Sequence, residues 1–133
     1  MSVRSVLVVD KNRQWHSRIE RVIKEAFPEV ATVETATTGY DALRIAKKGA
    51  FDLYISAVAY QLRVGTMDLS CSAGIYFVND LRRMKPNANI ILVSDNADLE
   101  GIAGGLGVPY IPKPGLSPEK LRQHYSVLAE KVQ

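Results

Sequence analysis

The sequence is poor in the residues that build disulfide frameworks and metal cages. Its one cysteine, Cys71, cannot form an internal disulfide and has no partner cysteine or histidine at metal-ligand spacing. No stretch approaches the roughly 18 consecutive apolar residues that a membrane-spanning helix requires. Met1-Ser2-Val3-Arg4 leads straight into a strand-like segment, without the basic-then-apolar order of a signal peptide. These absences argue against a secreted disulfide scaffold, a structural metal centre and a membrane protein, and the cytoplasm is the expected compartment. Nor is there a large excess of one charge: 17 Lys and Arg face 14 Asp and Glu, a net +3. The basic residues Lys11, Arg13, Arg18, Arg21 and Lys24, and then Arg44, Lys47 and Lys48, are interrupted by Glu20, Glu25 and Asp41. Such scattering fits solvated helix faces and argues against a nucleic-acid surface.

What is present is a globular pattern. A chain of 133 residues with 47% apolar and 23% charged residues suits one domain, 1–133, with a sizeable core. Four short apolar runs, Val6–Val9, Leu53–Ile55, Ile90–Val93 and Val108–Ile111, are continuous more than alternating, as parallel strands buried on both faces require. A weaker fifth, Val30 to Ala36, alternates Ala31, Val33 and Thr35 against Thr32 and Glu34 and suits an edge.

Between the runs the apolar spacing turns helical. Trp15, Ile19, Val22, Ile23, Ala26 and Phe27 make one stripe, and Tyr40, Leu43 and Ala46 a second. Ile75, Val78 and Leu81 make a third, closed by Pro86. Leu121, Tyr125, Leu128 and Val132 make the last, opened by Ser117 as N-cap with Pro118 at the first helical position. Asp95 to Gly107 carries four glycines and predicts only a short, mobile helix. The order is β-α five times over, hence an α/β fold with a doubly wound parallel sheet. Functional groups then belong beyond the carboxyl ends of the strands.

Those ends carry Asp10-Lys11, Ser56-Ala57, Ser94-Asp95 and Lys113-Pro114. An acid, a hydroxyl and an ammonium after successive strands resemble the receiver domain of two-component response regulators. "VLVVDKN", "ATTGYDAL", "FDLYISA", "IILVSDN" and "YIPKP" are similar to that family's successive signatures, and the likeness spans nearly the whole chain. The resemblance implies a flavodoxin-like (βα)5 fold with five parallel strands in the order 2-1-3-4-5. It makes Asp10 one of two metal-binding acids, Ser94 and Lys113 the contacts of a phosphoryl group, and Tyr110 a switch-like aromatic. It also implies a cis Lys113–Pro114 bond.

Two positions depart from the pattern. Lys11 stands where the second acid would be, and Ala57 where the aspartate that accepts the phosphoryl group would be. Alanine has no nucleophilic atom, so no acyl phosphate can form there. Each substitution also removes an oxygen ligand from a hard dication that wants several. The degenerate site Asp10, Lys11, Ala57, Ser94 and Lys113 is therefore expected to have no catalytic residue, no bound metal, and weak or absent Mg²⁺ affinity, with no other cofactor. Asp52 lies about 16 Å away at the far end of its strand, Asp68 reads as an exposed loop carboxylate, and Asp95 as a helix cap. Lys11 or Lys113 is expected to pair with Asp10, unless Lys11 points to solvent and Asp10 caps the first helix.

Sixteen residues, Val58 to Ala73, separate Ala57 from Gly74. Their apolar content suggests a segment that packs over the vacated site, against the alternative of a tolerated insertion. Cys71 there reads as an ordinary thiol, and His16 and His124 as surface residues. The expected function is a phosphorylation-independent pseudo-receiver, not an enzyme, that works in signalling through a protein partner. A homodimer is open, although the glycine-rich fourth helix would modify the family's usual dimer face, and an output domain after the last helix is compatible with the pattern. Weaker alternatives are a receiver phosphorylated at an unorthodox residue and a small phosphatase using Asp10, which lacks a second acid at Asn12. A flavin binder is weaker still, because "DKNRQWH" is a poor phosphate cradle.

Overall fold

A computed structural model describes residues 3–57, 73–94 and 100–132. The apolar runs become β1 (Ser5–Val9), β3 (Leu53–Ala57), β4 (Ile90–Ser94) and β5 (Tyr110–Pro112), and the alternating segment becomes β2 (Thr32–Ala36). All pairings are parallel and the order is β2-β1-β3-β4-β5, as expected. β3 and β4 are buried along their whole length and β1 from Val6 onward. Both faces of these strands are covered, which is why their sequences do not alternate. β2 is an edge strand, and its alternation is faint: Ala31 and Thr35 are exposed, Val33 is half-buried, and only Ala36 is buried.

Among the described residues five α-helices cover the sheet: α1 (Arg13–Ala26), α2 (Gly39–Lys48), α3 (Ala73–Met84), α4 (Glu100–Leu106) and α5 (Pro118–Val132). Successive strand residues point to opposite faces, so β1 divides its side chains. Val6 and Val8 join Ile19 and Ile23 of α1 and Leu121 of α5 in one core. Leu7 and Val9 join Ala42 and Ala46 of α2, Phe77, Val78 and Leu81 of α3, and Ala103 of α4 in the other. Each fully buried Ile or Leu contributes about 1.5–3 kcal/mol of transfer free energy. No described helix is long and apolar enough to cross a membrane.

Local signals set the helix ends. Asn12 caps α1 by accepting the Gln14 N–H at 3.0 Å, so the helix starts before Trp15. Ser117 caps α5 as expected, accepting the Lys120 N–H at 3.2 Å. α4 is short, and Gly107 (φ 71) closes it in the left-handed region. There the Val108 N–H reaches the Ala103 carbonyl and the Gly107 N–H the Gly104 carbonyl, both at 3.1 Å. In α2 the predicted stripe is wrong at one residue. Tyr40 is 58% exposed, because Ala42 and Ala46 set the buried face and Tyr40 lies about 200° around the helix from Ala42.

The register aligns the strand ends. Val9 pairs with Ala36 and Ser56, Ala57 with Val93, and Ser94 with Pro112. Asp10, Ala57, Ser94 and Lys113 therefore emerge along one edge of the sheet. Asp52 lies at the opposite edge, where its Oδ2 accepts the N–H groups of Arg4 (2.7 Å) and Ser5 (3.2 Å) and ties the start of β1 to β3.

Candidate functional site

Asp10 leaves β1 with its backbone N–H donating to the Ala36 carbonyl at 3.0 Å, and its side chain is 1% exposed. Burial of an ionised carboxylate is costly unless hydrogen bonds and an opposite charge offset it. Oδ1 accepts the Asn12 N–H at 2.9 Å. Oδ2 lies 2.7 Å from the Lys113 Nζ. No donor meets Oδ2 with hydrogen-bond directions among the described residues, so the ammonium faces it chiefly as a contact charge. Asp10 does not cap α1; Asn12 does.

Lys113 is 7% exposed and opens a 3-10 turn, Lys113–Gly115, directly after β5. The Leu116 N–H closes that turn on the Lys113 carbonyl at 3.1 Å. No described peptide bond is cis, so the Lys113–Pro114 bond is trans and the expectation of a cis bond is corrected. The trans bond, ordinarily the favoured isomer, is the one this turn uses. On its other side the Lys113 ammonium stands 4.8 Å from the centroid of the Trp15 ring. The indole is half-buried against the α1–α5 core, and Arg18 approaches it at 5.1 Å. Cation–π contacts of this kind are worth about 0.5–2 kcal/mol, more when water is excluded.

The other residues predicted for the site fall around this pair. Lys11 is exposed, so among the described residues Lys113 supplies the counter-charge. Ala57 is 3% exposed and its methyl joins the α2–α3 core. Beside it the buried Ser56 hydroxyl donates to the Ala57 carbonyl at 2.7 Å. Ser94 is 8% exposed, and its carbonyl accepts from the half-buried Tyr110 hydroxyl at 3.5 Å. Contacts thus join Asp10 to Lys113 and Ser94 to Tyr110.

Mg²⁺ does not fit this donor set. No cluster of three or more His, Cys, Asp or Glu side chains able to hold a metal occurs among the described residues. The one carboxylate described at the edge already has Oδ1 on a backbone N–H and Oδ2 facing an ammonium. A dication would have to displace Lys113 and would then find methyl and ammonium groups where further oxygens are needed.

Sequence reasoning missed two neighbours of the Asp10–Lys113 pair. His16, predicted on the surface, is half-buried with Nε2 2.8 Å from the Asp10 carbonyl. A carbonyl only accepts, so Nε2 carries the proton. Trp15 was legible as an apolar stripe residue but not as the ring beneath Lys113. His124 is half-buried, and burial followed by the nearby Lys120 charge pushes its pKa down. Tyr125 is core, edge-to-face with Phe27 at 5.5 Å. Asp68, Cys71, Asp95 and the segment 58–72 lie outside the described residues.

No family model matches the sequence. Over 123 residues the chain is 28% identical to a response regulator receiver protein of Anaeromyxobacter sp. (strain Fw109-5), covering 90% of this chain and 46% of that protein. The chain thus spans about half the length of the curated relative it matches. Its structure superposes on a response regulator receiver domain protein of Clostridium thermocellum with a TM-score of 0.73 at 17% identity, over 97% of this chain and 96% of the other. It is similar also to the response regulator TrrA of Thermotoga maritima, solved in complex with Mg²⁺-BeF, with a TM-score of 0.72 at 20% identity over 94% and 98%. The five parallel strands in the order 2-1-3-4-5, the flanking helices and these likenesses together make this the receiver fold.

Proposed function

We propose that the chain is an atypical response regulator receiver domain, without a phospho-acceptor, that signals by binding a protein partner. The observation that carries this is the occupancy of the strand edge. A methyl group stands at the end of β3, and the lysine that would contact a phosphoryl group is buried against Asp10. Phosphoryl transfer needs a nucleophile and cations free to spread charge over the equatorial oxygens. Here the nucleophile is missing at Ala57, and the Lys113 charge is spent on the carboxylate that would otherwise bind the metal. Lys113 in this sense replaces the metal as the counter-ion of Asp10.

A phosphatase using Asp10 is disfavoured by the same contacts, since a nucleophile 1% exposed with both oxygens engaged cannot reach a substrate. The domain would span 1–133. A backbone-amide NMR titration with Mg²⁺ and then beryllofluoride, which mimics an acyl phosphate, tests the proposal. The expected result is no saturable shift at Asp10, Ser94, Tyr110 or Lys113. Saturable shifts clustered at those residues would overturn it.

A further inference from the structure

Between α1 and the turn after β5 lies a recess of about 100 Å³, lined by Trp15, Arg18, Val22, Lys113, Pro114 and Leu116. Among the described residues its charge is unbalanced. The Lys113 ammonium is compensated by Asp10 at 2.7 Å. Arg18 is exposed and lies over the Trp15 ring at 5.1 Å. No described carboxylate stands within ion-pair distance of it. Glu20, the acid nearest along α1, pairs instead with Lys24 at 3.9 Å, and it lies about 200° around the helix from Arg18. Lys11, Arg13 and Arg21 are also exposed on this segment and add to its positive charge.

We propose that this recess receives a carboxylate side chain from an acidic segment of a partner protein. The guanidinium offers a planar fork that matches a carboxylate in a bidentate fashion. The contact with the indole at 5.1 Å restricts the guanidinium before a partner arrives, which lowers the ordering cost of binding. Val22, Pro114 and Leu116 provide an apolar wall for the methylenes behind the carboxylate. The recess has room for a carboxylate head beside the ring. The proposal rests on the partner-binding role above and adds to it a position and a chemistry. It also links the surface to the strand edge, because Trp15 touches both cations.

Trp15 is the only tryptophan in the chain, so its fluorescence reports directly on the recess. The test titrates the purified chain at low salt with a capped hexapeptide of glutamates, a matched hexapeptide of glutamines, and a single-stranded oligonucleotide. A saturable change in Trp15 emission is expected with the glutamate peptide alone. It should weaken as salt screens the charges, and its apparent Kd should rise about tenfold or more in Arg18→Gln. Arg18→Lys, which keeps the charge but loses the fork, should fall between the two. No saturable change, an equal response to the glutamine peptide, or an unchanged Kd in Arg18→Gln would overturn the proposal. A tighter response to the oligonucleotide would overturn it in favour of a nucleic-acid phosphate site. Phosphoryl acceptance is read by separate experiments, so failure here and failure of the receiver assignment are distinguishable.

Discussion

The Lys113 ammonium sits 2.7 Å from the Asp10 carboxylate and 4.8 Å from the centre of the Trp15 ring, with the two charged side chains 7% and 1% exposed. A buried ion pair adds little net stability over an apolar pair of the same shape, but breaking it by removing one partner strands a charge. The pair holds the only carboxylate described at the strand edge and the only described ammonium that faces it.

Asp10→Ala should cost about 3–5 kcal/mol, since Lys113 would stay buried without its counter-charge. The double variant Asp10→Ala/Lys113→Met should cost much less than the sum of the singles, because the groups are in contact and each single leaves the other uncompensated. Urea unfolding of the four proteins measures this coupling. An Asp10→Ala protein within about 0.5 kcal/mol of wild type, the range typical of surface changes, would show that the pair is not closed in solution.

Trp15→Leu keeps an apolar side chain in the α1 stripe but removes the π face beneath Lys113 and Arg18. A loss of about 1–2 kcal/mol is expected from the cation–π contacts, with a shift of the Lys113 side-chain NMR resonances. Trp15→Phe should recover part of both. Equal stability and unchanged Lys113 resonances in Trp15→Leu would mean that the ring does not hold the ammonium.

Supplying acids at positions 57 and 11 should create metal binding only when both are present. Ala57→Asp alone places a carboxylate in a 3% exposed position while Lys11 still adds a positive charge beside the edge. Ala57→Asp/Lys11→Asp supplies three carboxylates with Asp10, enough to compete with Lys113 for a hard dication. A Mg²⁺-dependent rise in Tm is expected for the double variant and for neither single. The same rise in wild type would contradict the account.

The pH profile should carry a His124 signature. Burial and the Lys120 charge lower its folded-state pKa, so the folded protein binds this proton less readily than the unfolded chain does. Its stability contribution is present above the unfolded value of about 6.5 and declines as pH falls below it, until the folded-state pKa is passed. Thermal scans between pH 7.5 and pH 5 should show a smaller drop in Tm for His124→Gln than for wild type. An identical drop would place the acid sensitivity elsewhere.

The sheet was legible because β1, β3 and β4 are buried on both faces, so their sequences carry the pattern without competition. The sites of Asp10, Ala57, Ser94 and Lys113 followed, since a parallel sheet brings its strand ends to one edge. Tyr40 was misplaced because a spacing of three admits more than one helix face, and the small residues Ala42 and Ala46 carried the buried one. Trp15 beneath Lys113 could not be read at all. The two residues lie at opposite ends of the chain and meet only through the packing of α1 against the β5–α5 turn. Asp52 was rightly placed at the far edge, but its role of binding the Arg4 and Ser5 N–H groups depends on register, which the sequence does not state.

The most direct test of the central claim is intact-mass spectrometry of the purified chain after incubation with acetyl phosphate and Mg²⁺. The account predicts no covalent phosphoryl adduct, with Ala57→Asp/Lys11→Asp as the variant that regains one. A stoichiometric phosphoryl adduct on the wild-type chain would contradict it, and fragmentation would then identify the unorthodox acceptor.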